Sequence, residues 1–158
     1  MLDRIIGIRQ LAIDKAERAV ALQKKNLNEA KEALHQVKED IIEFAKYKAE
    51  KEVFYYEELI GKGMVKKEDI DEYNVKIEKL IVKVTELEEK KVEKEKKCKE
   101  EAEKLVLRKQ DVLLANRAKE KFIEVKKEVD AEAEIESQRK EEEEADERTH
   151  ISSHLFDE

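Results

Sequence analysis

Proline and tryptophan are absent from all 158 residues, and glycine occurs only three times. Without proline, nothing interrupts a helix by locking φ and removing an amide donor. The single cysteine, Cys98, excludes an internal disulfide framework and fits a reduced compartment. Only eight residues are aromatic, and 47% are charged. With a mean hydropathy of -0.83, such a chain buries a narrow seam and has little interior, which argues against a deep catalytic pocket. No stretch approaches the roughly 18 apolar residues of a membrane span. The first residues carry Asp3, Arg4 and Arg9 and lack the continuous apolar core of a secretion signal. The expectation is a soluble protein that stays in the cytoplasm.

What the chain does have is apolar periodicity. Alternate steps of three and four from Leu2 reach Ile6, Arg9, Ile13, Ala16, Val20, Gln23, Leu27, Ala30, Leu34, Val37, Ile41 and Phe44, and 11 of these 13 positions are apolar. A 3.5-residue repeat held over that length keeps facing one partner only if the helices supercoil left-handedly. Beyond Phe44 the same phase meets Lys48, Lys51 and Glu58, whereas Ala45, Ala49, Val53, Tyr56 and Ile60 continue an apolar stripe one residue later. That offset predicts a local change of winding. A second stripe runs from Ile70 through Tyr73, Ile77, Leu80, Val84 and Leu87 to Val129, with 12 of its 18 positions apolar. Its weak stretch is the Lys/Glu-rich segment 88–101. Only Val92 and Cys98 can be buried there without cost, although lysine stems can cover the seam while their ammonium groups reach water. The hairpin is expected to be softest there.

Two such stripes with Gly61 and Gly63 between them predict an all-α, long antiparallel two-helix coiled-coil hairpin in a single domain. Helix one is expected at about 2–60, the hinge at about 61–66 and helix two at about 67–148. Glycine just past the last periodic residue favours a C-cap, and Glu68 and Asp69 suit the positive end of the second helix. A bend near Met64 makes the numbers of facing residues add to about 128. The stretch beyond residue 128 overhangs the start of helix one without a usable seam, and residues 149–158 are expected to be a disordered tail. From Glu128 to Glu158 there are 13 acidic and 3 basic residues, against 28 and 31 in the rest of the chain. The net charge of -7 is therefore a property of the tail. No basic stripe stands clear of that acidity, which disfavours nucleic acid as a partner.

No nucleotide-binding, zinc or nucleophile-elbow motif is present, so no enzyme and no cofactor are expected. His150 and His154 have the i,i+4 spacing of metal ligands on a helix, but no thiolate lies near them and no metal site is expected. His35 and the many Glu/Lys pairs read as solvated helix faces. Two features exceed that reading. Six of the eight aromatics, Phe44, Tyr47, Phe54, Tyr55, Tyr56 and Tyr73, gather near the hinge. Three successive rings cannot all face one helix, so the group either caps the hairpin or includes a docking patch. Tyr55 is the expected exposed anchor, with Tyr56 in the seam. Five of the seven arginines, Arg4, Arg9, Arg18, Arg108 and Arg117, fall towards the open end, a basic shaft that would suit an acidic socket.

The runs Lys15-Ala16-Glu17-Arg18-Ala19-Val20 and Asn116-Arg117-Ala118-Lys119-Glu120-Lys121-Phe122-Ile123-Glu124, with the Glu-rich end at 141–147, resemble the YscO/FliJ family of type III secretion and flagellar export, and the injectisome branch more closely. The resemblance implies a non-enzymatic central stalk at the cytoplasmic face of the secretion apparatus. Such a stalk enters the pore of a hexameric export ATPase, promotes its activity and touches the export-gate membrane protein, with secretion chaperones as further partners. The basic shaft of Arg4, Arg9, Arg18, Arg108 and Arg117 is then the candidate ATPase contact, with solvated helix faces as the other reading of those charges. The gate-binding row of flagellar members falls here on Tyr73, Ile77, Leu80 and Val84, beside Tyr55. Burial of both stripes within one chain predicts a monomer in isolation. A structural coiled-coil adaptor or scaffold with no ATPase partner is the alternative.

Overall fold

A computed structural model describes the backbone of residues 1–156 and the side chains of residues 1–152. Two helices make up the fold, α1 (Leu2–Ile60) and α2 (Lys67–Phe156), packed antiparallel. The expected start and end of α1 and the start of α2 are met. Gly63 has φ at 73°, a left-handed conformation in which a Cβ is strained, and its amide donates to the Ile60 carbonyl at 3.2 Å. Entry into α2 is fixed by Asp69, whose carboxylate accepts from the Lys66 amide at 3.0 Å. That contact satisfies one of the amides that a helix N-terminus leaves unpartnered. Lys62 Nζ closes the turn on the same carboxylate at 3.3 Å.

The helices build two compact units. One comprises Met1–Arg18 with the residues from Lys109 onward; the other is Ala19–Arg108. In the first, Ile13 is buried and polar contacts cross between the helices. Lys126 bonds Asp3, and Lys119 donates to Gln10; the numbers of each pair add to 129. The Arg9 guanidinium lies 5.2 Å from the centre of the Phe122 ring, within cation–π range. In the second unit the buried apolar residues are Ala30, Val37, Leu80 and Leu87, all of them at seam positions. Lys91, Lys94 and Cys98 are half-buried, as a lysine-stem seam requires, but Val92 is exposed and lies outside it.

Three expectations are corrected. The seam keeps its phase from Phe44 to Tyr55 and moves on by one residue only in the last turn, where Leu59 is half-buried and Glu58 exposed. Lys48, Lys51, Tyr55 and Leu59 are half-buried, whereas Ala45, Ala49, Val53, Tyr56 and Ile60 are exposed. Keeping the phase requires no distortion of α1, and the lysines at the seam find partners. Lys48 pairs with Glu52 at 3.4 Å, and the Lys51 ammonium lies over the rings of Tyr47, Phe54 and Tyr55 at 5.6, 5.0 and 6.0 Å. The roles of Tyr55 and Tyr56 are correspondingly exchanged. Finally, α2 continues to Phe156, past the expected boundary at 148. Nothing in the sequence breaks the helix there, and the Thr149 hydroxyl, which could have favoured a turn, donates instead to the Ala145 carbonyl at 2.8 Å. Of the tail expected at 149–158, residues 157 and 158 lie outside the described residues.

Candidate functional site

The deepest polar feature is a pair at two seam positions that the apolar repeat leaves polar. Gln23 is 7% exposed and Glu101 5%. Gln23 Nε2 donates to the Glu101 carboxylate and, at 3.0 Å, to its backbone carbonyl. Lys97 and Lys104 approach the other carboxylate oxygen at 3.0 and 3.5 Å. Hydrogen bonds from Lys97 and Gln23, together with the charges of Lys104 and Lys97, outweigh desolvation and lower the Glu101 carboxyl to about 2. The same carboxylate raises the Lys97 ammonium. Among the described residues no buried side-chain polar atom lacks a partner. This pair favours one alignment: a slip of one heptad would set Glu101 against Ala16 or Ala30, neither of which can replace the hydrogen bonds from Gln23. Gln23 was visible as a polar position of the first stripe, and Glu101 closes the Lys/Glu-rich segment of the second. Their meeting was not visible, since facing numbers that add to about 128 put Gln23 beside Leu105.

At the open end α1 carries a second stripe on the side away from Ile13. At about 100° per residue, Arg4, Ile8, Leu11, Lys15 and Arg18 line up with spacings of four and three, and all five are exposed. Sequence reasoning found the arginines but not the aliphatic residues between them; the 4-3-4-3 spacing is the signal that could have revealed the stripe. Arg9 is also exposed but is engaged with Phe122, and Arg117 is exposed on α2 of the same unit. Arg108 is exposed too and belongs to the other unit. The Asp3 carboxyl is held below its ordinary range by its hydrogen bond from Lys126.

Near the hinge, Tyr73, Ile77 and Val84 are half-buried and Leu80 is buried against α1. Leu80 therefore packs the hairpin and presents no docking surface. Tyr55 is held between two cations, with Lys76 Nζ 5.2 Å from its ring centre and Lys51 at 6.0 Å. It is half-buried rather than the exposed anchor expected. Among the described residues no group of three or more His, Cys, Asp or Glu could hold a metal ion. The side chain of His154 lies outside the described residues. No described helix is long and apolar enough to cross a membrane.

An antiparallel pair of helices, its seam apolar but for polar contacts such as Gln23 with Glu101, defines the chain as a coiled-coil hairpin. A family profile described as Type III secretion protein YscO matches residues 2–150. The chain belongs to the YscO family of type III secretion proteins. Its fold is that of the type III secretion protein YscO from Vibrio parahaemolyticus: the crystal structure of that protein aligns with a TM-score of 0.85 at 22% identity, over 93% of this chain and 92% of that one. No match is found among curated proteins.

Proposed function

We propose that this chain is the non-enzymatic central stalk of a type III secretion export apparatus. It acts in the cytoplasm, inserts its open end into the pore of a hexameric export ATPase, promotes ATP hydrolysis and couples the ring to the export gate. The observation that supports this role in a YscO-family chain is the outer stripe of α1, where Arg4, Lys15 and Arg18 flank Ile8 and Leu11. Cations steer encounter with an acidic socket while the aliphatic residues between them hold the seated helix. Arg117 adds to the same unit. The hinge end meets the gate through the exposed edges of Tyr55, Tyr73, Ile77 and Val84, and secretion chaperones are further partners.

The test is stimulation of a purified hexameric type III export ATPase. Reversing the charge of Arg4, Arg18 and Arg117 should leave helicity unchanged and raise the concentration for half-maximal stimulation by about tenfold or more. Raised salt should weaken the wild-type protein in the same direction. If the triple variant stimulates as well as wild type, the basic stripe is merely solvated. If the wild-type chain stimulates no export ATPase, the adaptor reading replaces the stalk.

A further inference from the structure

The corrected seam leaves an anomaly on the flank of α1. Towards the hinge this helix turns Lys48, Lys51 and Glu52 towards α2, half-buried, and turns Ile42, Ala45, Ala49, Val53, Tyr56 and Ile60 outward. Val53, Tyr56 and Ile60 are 57, 55 and 54% exposed. Pairing of α1 with α2 alone would favour the opposite arrangement, aliphatic residues inside and lysines outside. An outward apolar stripe held over about five helical turns, with the pattern inverted at Lys48, Lys51 and Glu52, marks a surface that serves something other than the hairpin.

The stripe is one wall of a groove. Ala45 and Ala49 face Val84 and Leu87 across a hollow of about 360 Å³. Val53, Tyr56, Ile60 and Tyr73 line a second, of about 610 Å³, and Glu52 borders both. The two alanines let another backbone approach closely, as small residues do at packed helix crossings. Carboxylates edge the groove. Glu57 lines the hinge-side hollow and Glu88 the other, and neither forms an ion pair within the described residues. Glu52 is partly neutralised by Lys48. Among the described residues, Lys48 is the only cation lining either hollow.

We infer that this groove is a docking site for one amphipathic α-helix of another protein, with an aliphatic stripe edged by lysine or arginine. The wall from Ile42 to Ile60 is roughly 27 Å long at 1.5 Å per residue, so the occupant is a helix of about 18 residues laid into a preformed groove. Charge decides against a second copy of this chain. Two copies meeting by this face would set Glu52, Glu57 and Glu88 of one against the same carboxylates of the other, a like-charge contact that costs specificity and affinity. A helix edged with cations neutralises those carboxylates instead. The groove shares Tyr73 and Val84 with the surface proposed above for the export gate, but the proposal does not depend on the identity of the ATPase partner.

The probe is a synthetic helical peptide of about 18 residues, with a leucine stripe edged by lysine and a photoreactive leucine within the stripe. A counterpart has glutamate at the edges. With the full-length protein, the lysine-edged peptide should crosslink to α1 between residues 42 and 60 and bind at least about tenfold more tightly than the glutamate-edged one. The double substitution Val53→Ser and Ile60→Ser should weaken binding at least about tenfold, as should Glu57→Lys with Glu88→Lys, each with helicity retained. Crosslinks concentrated on the acidic residues 128–152, or unchanged binding by both variants, would overturn the inference. So would a concentration-dependent dimer that the Val53/Ile60 variant abolishes, because a second copy would then fill the groove. No ATPase enters this measurement, so failure of the stalk reading leaves its result standing.

Discussion

At the scale of single residues, the Gln23–Glu101 pair joins stability to alignment. The carboxylate accepts from Gln23 across the seam and from Lys97 one turn earlier, so the folded chain favours its ionised form and the carboxyl falls from 4.5 to about 2. A carboxyl depressed by folding contributes stability that is fully present above its unfolded value and is lost as pH falls through the folded one. The window for Glu101 therefore runs from 4.5 down to about 2. We expect wild type to melt higher than Glu101→Gln near neutral pH. The gap should close progressively through that window and vanish at its lower end, because the protonated carboxyl and the amide are then both neutral. Thermal unfolding of the two proteins across that pH range measures the effect. A gap that stays constant would show that packing, rather than ionisation, sets the contribution of this side chain.

At the scale of elements, the bounds of α1 and the start of α2 were legible because a 3.5-residue apolar repeat and the glycines of the hinge agree. Local propensity and long-range packing point the same way there. They part beyond Phe44, where two phases compete. Choosing the more apolar one gives a seam of Ala45, Ala49, Val53, Tyr56 and Ile60, but the helix keeps the other because Lys48 and Lys51 can cover apolar surface with their stems and place their charges on Glu52 and on aromatic rings. A pattern count cannot weigh that compensation. The stripe itself was visible in the sequence, but for the same reason it was assigned to the seam rather than to the outer face, whereas the basic residues of the open end could be read directly, needing only helical spacing. The end of α2 was missed because neither proline nor glycine marks a stop between Arg148 and Phe156. The exchange of Tyr55 and Tyr56 has a direct consequence. Tyr55→Ala removes a half-buried ring lying between the ammonium groups of Lys51 and Lys76, and should cost about 1–2 kcal/mol. Tyr56→Ala removes an exposed ring and should change stability by less than about 0.5 kcal/mol. Denaturant unfolding of the two variants distinguishes the phases, since a seam shifted by one residue would reverse their order.

At the scale of the whole molecule, both apolar stripes find their partners within one chain. The seam residues of α1 meet those of α2, and Gln23, the polar member on α1, is satisfied by Glu101 on α2. Burial of the seam thus requires no second subunit. Charge works in the same direction: the exposed helix from 128 to 152 belongs to the segment that carries 13 acidic and 3 basic residues. Bringing two such segments together would concentrate like charge, which opposes self-association. Binding that is confined to one chain makes unfolding unimolecular, and its midpoint then has no mass-action dependence on protein concentration. We therefore expect the melting temperature to stay constant over a roughly hundredfold range of concentration, and sedimentation to return the monomer mass of 18.6 kDa. A midpoint that climbs with concentration would mean that the seam, or the apolar flank between Ile42 and Ile60, is completed by a second copy. The Val53→Ser and Ile60→Ser substitutions separate those cases, because they lie outside the seam and would remove the concentration dependence only if the flank is the interface.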